Sequence, residues 1–168
     1  LSVDGPREMH DAYRVDKAGR GTFERVMRAA ELLQRHGVAF NALCTVHAAN
    51  GDHPREVYRF LRDEVQTDFI QLIPIVERVT EETREAADAG WGHRGRPLYL
   101  QRGNLVTERS VGPEQWGRFL IGVFDEWLRA DVGRVFVTTF EAALASWMRL
   151  PQPMCVFAET CGDALALE

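Results

Sequence analysis

Apolar positions along this chain recur with two periods, and the alternation between them predicts its elements. Phe23, Val26, Met27, Ala30 and Leu33 repeat at helical spacing, with Thr22 as the cap and His36-Gly37 as the stop. Val38 to Val46, containing Phe40, Leu43 and Cys44, is apolar enough for a strand buried on both faces. The turn Asn50-Gly51-Asp52 precedes Pro54, which suits the first position of a helix whose apolar face is Val57, Tyr58, Leu61 and Val65. Phe69 to Pro74 reads as the next strand. Gly112-Pro113 opens a long helix with the stripe Trp116, Phe119, Leu120, Val123, Phe124, Trp127 and Leu128. Val135 to Thr138 is a short final strand, and Phe140 to Leu150 a last helix ended by Pro151-Gln152-Pro153. Strands alternating with helices over short connections predict parallel βαβ units, and so an α/β fold with helices covering the sheet.

Two stretches break the pattern. Val76 to Arg109 is polar and reads as one long loop; following a strand, it is expected to lie as a lid over the carboxyl edge of the sheet, where ligands bind in parallel folds. The other is the opening, where Leu1-Ser2-Val3 reads as the end of a buried strand that breaks into Asp4-Gly5-Pro6 and a polar, basic loop running to Gly21. Three residues do not start a sheet, and the chain stops in what reads as a further extended segment, so an internal piece of a longer protein is expected. Residues 1–150 read as one domain and 151–168 as the start of the next.

Composition narrows the functions. The hydrophobic content of 45% supports one core, and the formal net charge of −5 disfavours surfaces that collect nucleic-acid phosphates or anionic lipid. No apolar run approaches a membrane span and no leader is visible, which predicts a cytoplasmic chain. Only three cysteines are present, too few and odd in number for a disulfide framework.

The chemistry-bearing residues are few. The histidines show no HExxH spacing, Gly19-Arg20-Gly21 lacks the rest of a phosphate loop, and neither Ser2 nor Ser110 sits in a nucleophile elbow. Cys44 falls inside an apolar strand and reads as a core residue. Cys155 and Cys161 are separated by five residues, wider than a zinc knuckle, which leaves iron–sulfur ligation, a disulfide or unpaired structural thiols open. Ser2 at a strand end and Arg14 in the loop after it form a candidate clamp, a hydroxyl and a guanidinium able to hold a carboxylate through a bidentate pair.

Taken together, Leu1-Ser2-Val3-Asp4-Gly5-Pro6 with His10-Asp11 and Arg14, the strands Phe40 to Cys44 and Phe69 to Ile73, and Cys155-x5-Cys161 resemble the anaerobic sulfatase-maturating enzymes. These are radical S-adenosylmethionine proteins with a C-terminal SPASM module. The resemblance implies a partial (β/α)6 barrel, here from its fourth strand onward, followed by the start of a module carrying auxiliary 4Fe–4S clusters. It implies that Ser2, Arg14 and Val76 contact S-adenosylmethionine and that Cys155 and Cys161 ligate an auxiliary cluster. The implied activity is oxidation of a cysteine or serine of a sulfatase polypeptide to Cα-formylglycine, with flavodoxin or ferredoxin as reductant. The Cys-x3-Cys-x2-Cys motif of the radical cluster and the catalytic acid are not in these residues, so the piece alone is expected to be inactive. Two other readings stand beside this one: a SPASM enzyme that forms thioether or carbon–carbon links in a peptide, and a non-catalytic α/β binding module.

Overall fold

The computed structural model describes residues 1–91, 101–152, 154 and 157–160. In chain order it contains α1 (Arg7–Asp11), α2 (Phe23–Arg35), β1 (Ala42–Val46), α3 (Pro54–Arg59), β2 (Phe69–Pro74), β3 (Arg78–Val79), α4 (Glu81–Asp88), β4 (Leu105–Val106), α5 (Pro113–Ala130), β5 (Phe136–Val137) and α6 (Thr138–Trp147). β1, β2 and β5 are adjacent and parallel, with Cys44 opposite Leu72 and Ile70 opposite Val137. Ser2 bridges in parallel to Leu43, so the opening residues extend the sheet beyond β1. The expected parallel α/β architecture is therefore present.

Strand alternation sorts the sheet into two faces. Val3, Ala42, Cys44, Val46, Ile70, Leu72 and Val137 point to one side and form a core with Val57, Leu61 and Val65 and with Phe119, Val123 and Trp127 of α5. Burial pushes the Cys44 thiol well above its ordinary pKa, which fits the expected core role. The opposite face carries Ser2, Leu43, Thr45, Phe69, Gln71, Ile73 and Phe136, and none of these is fully buried. Helices thus cover one face and leave the other open among the described residues.

Local chemistry sets several boundaries. Pro54 and Pro113 begin α3 and α5 as expected, and the Gln115 side chain accepts a hydrogen bond from the Gly112 N–H at 3.3 Å. After Arg59 the helix widens into a π-turn over Phe60–Glu64, closed by the Val65 N–H donating to the Phe60 carbonyl at 3.0 Å. Gly37 adopts φ of 64° and terminates α2, where the sequence places the stop. Gly122 has no side chain because Pro54 Cγ lies 2.5 Å from where its Cβ would be, so α5 crosses close to α3. No described helix is long and apolar enough to cross a membrane.

Some expectations are corrected. β1 begins at Ala42 rather than Val38, and the loop before Gly21 contains the short α1. Thr22 stands at the N-cap position of α2 but does not cap it; its hydroxyl donates to the Arg14 carbonyl at 2.9 Å, and the Asp11 carboxylate accepts the Phe23 N–H instead, at 2.9 Å. The 76–109 segment is not one structureless loop, since its described part folds into an antiparallel β3–β4 pair flanking α4. On α5, Phe124 and Leu128 are exposed; the full stripe is wider than the face the core covers.

Candidate functional site

At the carboxyl edge of the opening strand and β1, a charged pair is built from residues on separate elements. Asp4 directly follows the strand and is 2% exposed. Its Oδ1 accepts the Thr45 N–H at 2.8 Å and Arg14 Nη2 at 3.0 Å, while Oδ2 accepts Arg14 Nε. Arg14 Nη2 also donates to Thr45 Oγ1 at 3.1 Å. The fork of Arg14 is thus bidentate toward a residue of its own chain, and its Nη1 has no partner among the described residues. The side chain is 32% exposed.

The main chain of Asp4 is tied just as firmly. Its N–H donates to His10 Nδ1 at 3.2 Å, which leaves the proton of a neutral imidazole on Nε2, 3.1 Å from Thr22 Oγ1. Burial lowers the His10 pKa, consistent with that neutral form. Asn50 Nδ2 donates to the carbonyls of Asp4 at 2.7 Å and Thr45 at 2.9 Å, and Asn50 Oδ1 accepts the His47 N–H at 2.8 Å. Tyr13 packs edge-on against His47 with ring centroids 4.7 Å apart. His47 is 2% exposed, its Nε2 lies 4.0 Å from Asp4 Oδ2, and neither ring nitrogen has a hydrogen-bond partner among the described residues. Burial lowers its pKa, so the ring is neutral near pH 7.

Val76 lies just past β2 at the same edge. Its flanks are pinned: the Ile75 N–H donates to the Val46 carbonyl at 2.9 Å, and the Glu77 N–H donates to Ser110 Oγ at 3.0 Å. The Glu77 carboxylate is buried and accepts Trp91 Nε1 at 2.8 Å, Arg109 Nε at 2.7 Å and the Thr107 hydroxyl at 3.3 Å. Arg109 Nη2 reaches on to the Ala87 carbonyl at the end of α4. Val76 itself is 55% exposed, and its backbone N–H and carbonyl have no hydrogen-bond partner among the described residues.

Of the residues singled out in the sequence, Arg14 and Val76 come to the carboxyl edge. Ser2 is exposed on the open face at the level of Leu43, two positions before Thr45 and so about 7 Å below the Asp4–Arg14 pair along the strand. Cys155 and Cys161 lie outside the described residues. Asp4, His47 and Glu77 were not singled out. Asp4 stands in the opening turn and in the motif that carries the resemblance, and a carboxylate at the last buried position of a strand needs a partner, with Arg14 a basic residue ahead in the same loop.

No protein-family model matches the chain. The serine-type anaerobic sulfatase-maturating enzyme of Bacteroides thetaiotaomicron is 39% identical over the whole chain, which spans 39% of that protein. The chain belongs to the anaerobic sulfatase-maturating enzymes. Among these it is also 29% identical over its whole length to the cysteine-type anaerobic sulfatase-maturating enzyme of Clostridium perfringens, of which it spans 40%. A solved structure of such an enzyme, His-tagged anSMEcpe with bound AdoMet, superposes with a TM-score of 0.72 at 29% identity, covering 96% of this chain and 37% of the other. A second, native anSMEcpe with bound AdoMet and the Cp18Cys peptide, superposes with a TM-score of 0.71 over 92% of this chain. The chain therefore spans about two fifths of the sulfatase-maturating enzymes it matches.

Proposed function

We propose that this chain is a central part of a radical S-adenosylmethionine enzyme that oxidises a cysteine or serine of a sulfatase polypeptide to Cα-formylglycine. The observation supporting this reading is the likeness along the whole chain, at 39% and 29% identity, to serine-type and cysteine-type sulfatase-maturating enzymes alike. In this reading the open sheet face with Ser2, Thr45, Gln71 and Ile73 lines the inside of a partial (β/α)6 barrel that starts here at its fourth strand. Residues 151–168 then begin the SPASM module, where Cys155 and Cys161 are the first ligands of an auxiliary 4Fe–4S cluster.

The residues present suit the cofactor. Among the described residues Arg14 keeps Nη1 available at the strand edge and the Val76 N–H and carbonyl have no partner, while the Ser2 hydroxyl is exposed on the open face. Arg14 and Ser2 would hold the carboxylate end of S-adenosylmethionine by charge-assisted and neutral hydrogen bonds, and the Val76 backbone would meet its adenosyl part. When bound, S-adenosylmethionine with its reducing 4Fe–4S cluster supplies hydrogen-atom abstraction at the substrate Cβ. The chain's own work is positional. Arg14 would fix one end of the cofactor, the Glu77–Arg109 pair holds the segment at Val76, and the β3–α4–β4 excursion would serve as the lid that limits water.

A flavodoxin or ferredoxin is the proposed electron source. The test is anaerobic reconstitution of the complete polypeptide with iron and sulfide, followed by incubation with S-adenosylmethionine, a reductant and synthetic sulfatase peptides bearing Cys or Ser. Mass spectrometry should find formylglycine in at least one peptide. A thioether product, or intact peptide together with uncleaved cofactor, would overturn the reading.

A further inference from the structure

We propose that Asp4 is the positioning residue of the carboxylate clamp: it holds the Arg14 guanidinium by two of its three nitrogens, so that Nη1 is the one presented to a ligand carboxylate. The proposal rests on the functional reading above. Asp4 has no exposed surface with which to touch a ligand, being 2% accessible, and every polar atom it owns is engaged within the chain. Arg14 Nε and Nη2 are both spent on it, and Thr45 Oγ1 holds Nη2 from the strand side. An arginine stem left free samples many rotamers, and holding it beforehand removes that ordering cost from ligand binding.

Two opposing effects meet at this pair. The Asp4 charge repels an incoming carboxylate, whereas its grip aligns the group that must receive it. The neutral ring of His47, with Nε2 4.0 Å from Oδ2, leaves the Asp4 carboxylate to Arg14 and the Thr45 N–H. Because Arg14 is only one third exposed and Nη1 is already in place, alignment outweighs repulsion in this proposal.

The test uses the complete polypeptide, reconstituted anaerobically, with equilibrium titration of two ligands. One is S-adenosylmethionine; the other is 5′-methylthioadenosine, which carries the nucleoside and the sulfur but lacks the carboxylate. Asp4→Asn should weaken S-adenosylmethionine about tenfold, the worth of one charge-assisted hydrogen bond, and leave 5′-methylthioadenosine unchanged. In an Arg14→Ala background the same change should cost S-adenosylmethionine nothing further, because Asp4 acts through Arg14. Equal or tighter S-adenosylmethionine binding by Asp4→Asn, parallel weakening of both ligands, or an unchanged penalty without Arg14 would overturn the proposal while leaving the enzyme reading intact. Should Asp4→Asn fail to fold, Thr45→Val removes the second anchor of Nη2; it should weaken S-adenosylmethionine about threefold and spare the thioether. Unaltered affinity there would count against the proposal equally. Wild-type protein that binds neither ligand would end the functional reading, and this inference with it.

Discussion

Replacing Glu77 by Gln should loosen the β3–α4–β4 excursion without unfolding the sheet beneath it. The carboxylate is 2% exposed and lies 2.7 Å from Arg109 Nε and 2.8 Å from Trp91 Nε1. An amide keeps the shape but turns one oxygen into a donor, so it must point N–H at either Trp91 or Arg109, both of which only donate. It also takes from the Arg109 guanidinium, 20% exposed, the countercharge it has among the described residues. Removing one partner of a buried pair costs about 3 kcal/mol, equivalent to about a hundredfold in the local opening equilibrium. Native-state hydrogen exchange on the complete protein reads this directly. The Thr107 N–H, which donates to the Glu77 carbonyl at 3.0 Å, and the Val111 N–H, which donates to the Ile75 carbonyl at 3.1 Å, should lose about that much protection. Amides of β1 and β2 should not. Removing both charges in Glu77→Gln/Arg109→Met should recover part of the loss, since the orphaned cation is gone. Unchanged exchange at Thr107 and Val111 in the single variant would refute the idea that the buried pair holds this excursion.

Three further outcomes follow from the same structure. Burial lowers the pKa of His10 and His47 below the ordinary 6.5, so their contribution to stability is intact above about pH 6.5 and lost as pH falls from there through the folded-state values; NMR titration should find both rings still mostly neutral at pH 6.5, and a midpoint at or above that pH in either would contradict the account. Gly103→Ala should cost about 3 kcal/mol, because φ is +111° and the new Cβ would fall 1.9 Å from the Val79 carbonyl oxygen; a melting temperature equal to that of wild type would be inconsistent with this close approach. Tyr58→Phe should cost about 1.5 kcal/mol in urea unfolding, since the phenol donates at 2.9 Å to the buried Asp131 carboxylate, which keeps Arg62 Nη1 at 2.9 Å as its remaining partner. A larger penalty after Asp131→Ala, which removes the acceptor of both donors, completes that comparison.

How much of this was legible beforehand depends on whether a local signal existed. Phe69 to Pro74 is mostly apolar, preceded by the polar Thr67-Asp68 and closed by a proline, and the observed strand has the same limits. Pro54 and Pro113 mark helix starts because their missing N–H is harmless only there. The excursion after Val76 was illegible because its order comes from Glu77 meeting Arg109 and Trp91, residues 32 and 14 positions away, rather than from periodicity. α1 is five residues long with a mixed surface, too short for a pattern to emerge. Phe124 and Leu128 look like core from spacing, yet with Val132, Phe140 and Leu144 they line an apolar cleft between α5 and α6. At the site, Arg14 was legible as a carboxylate binder, but its first carboxylate turned out to be Asp4. That choice is made by strand register, which sets Asp4 beside Thr45.

Of the bonds that converge on Asp4, those beyond His10 and Arg14 reach across 41 residues to Thr45 and 46 residues to Asn50. Nothing local can assemble them. During synthesis the acidic group must therefore wait, unpaired on its long-range side, until the chain has emerged past residue 50 and β1 has docked in register beside the opening strand. The long-range half of the clamp is thus a late product of folding and a reporter of it: a molecule that ties Asp4 to Thr45 has already closed its first crossover correctly, and a one-residue slip at β1 would break that tie in the same step that turned Ala42, Cys44 and Val46 out of the core.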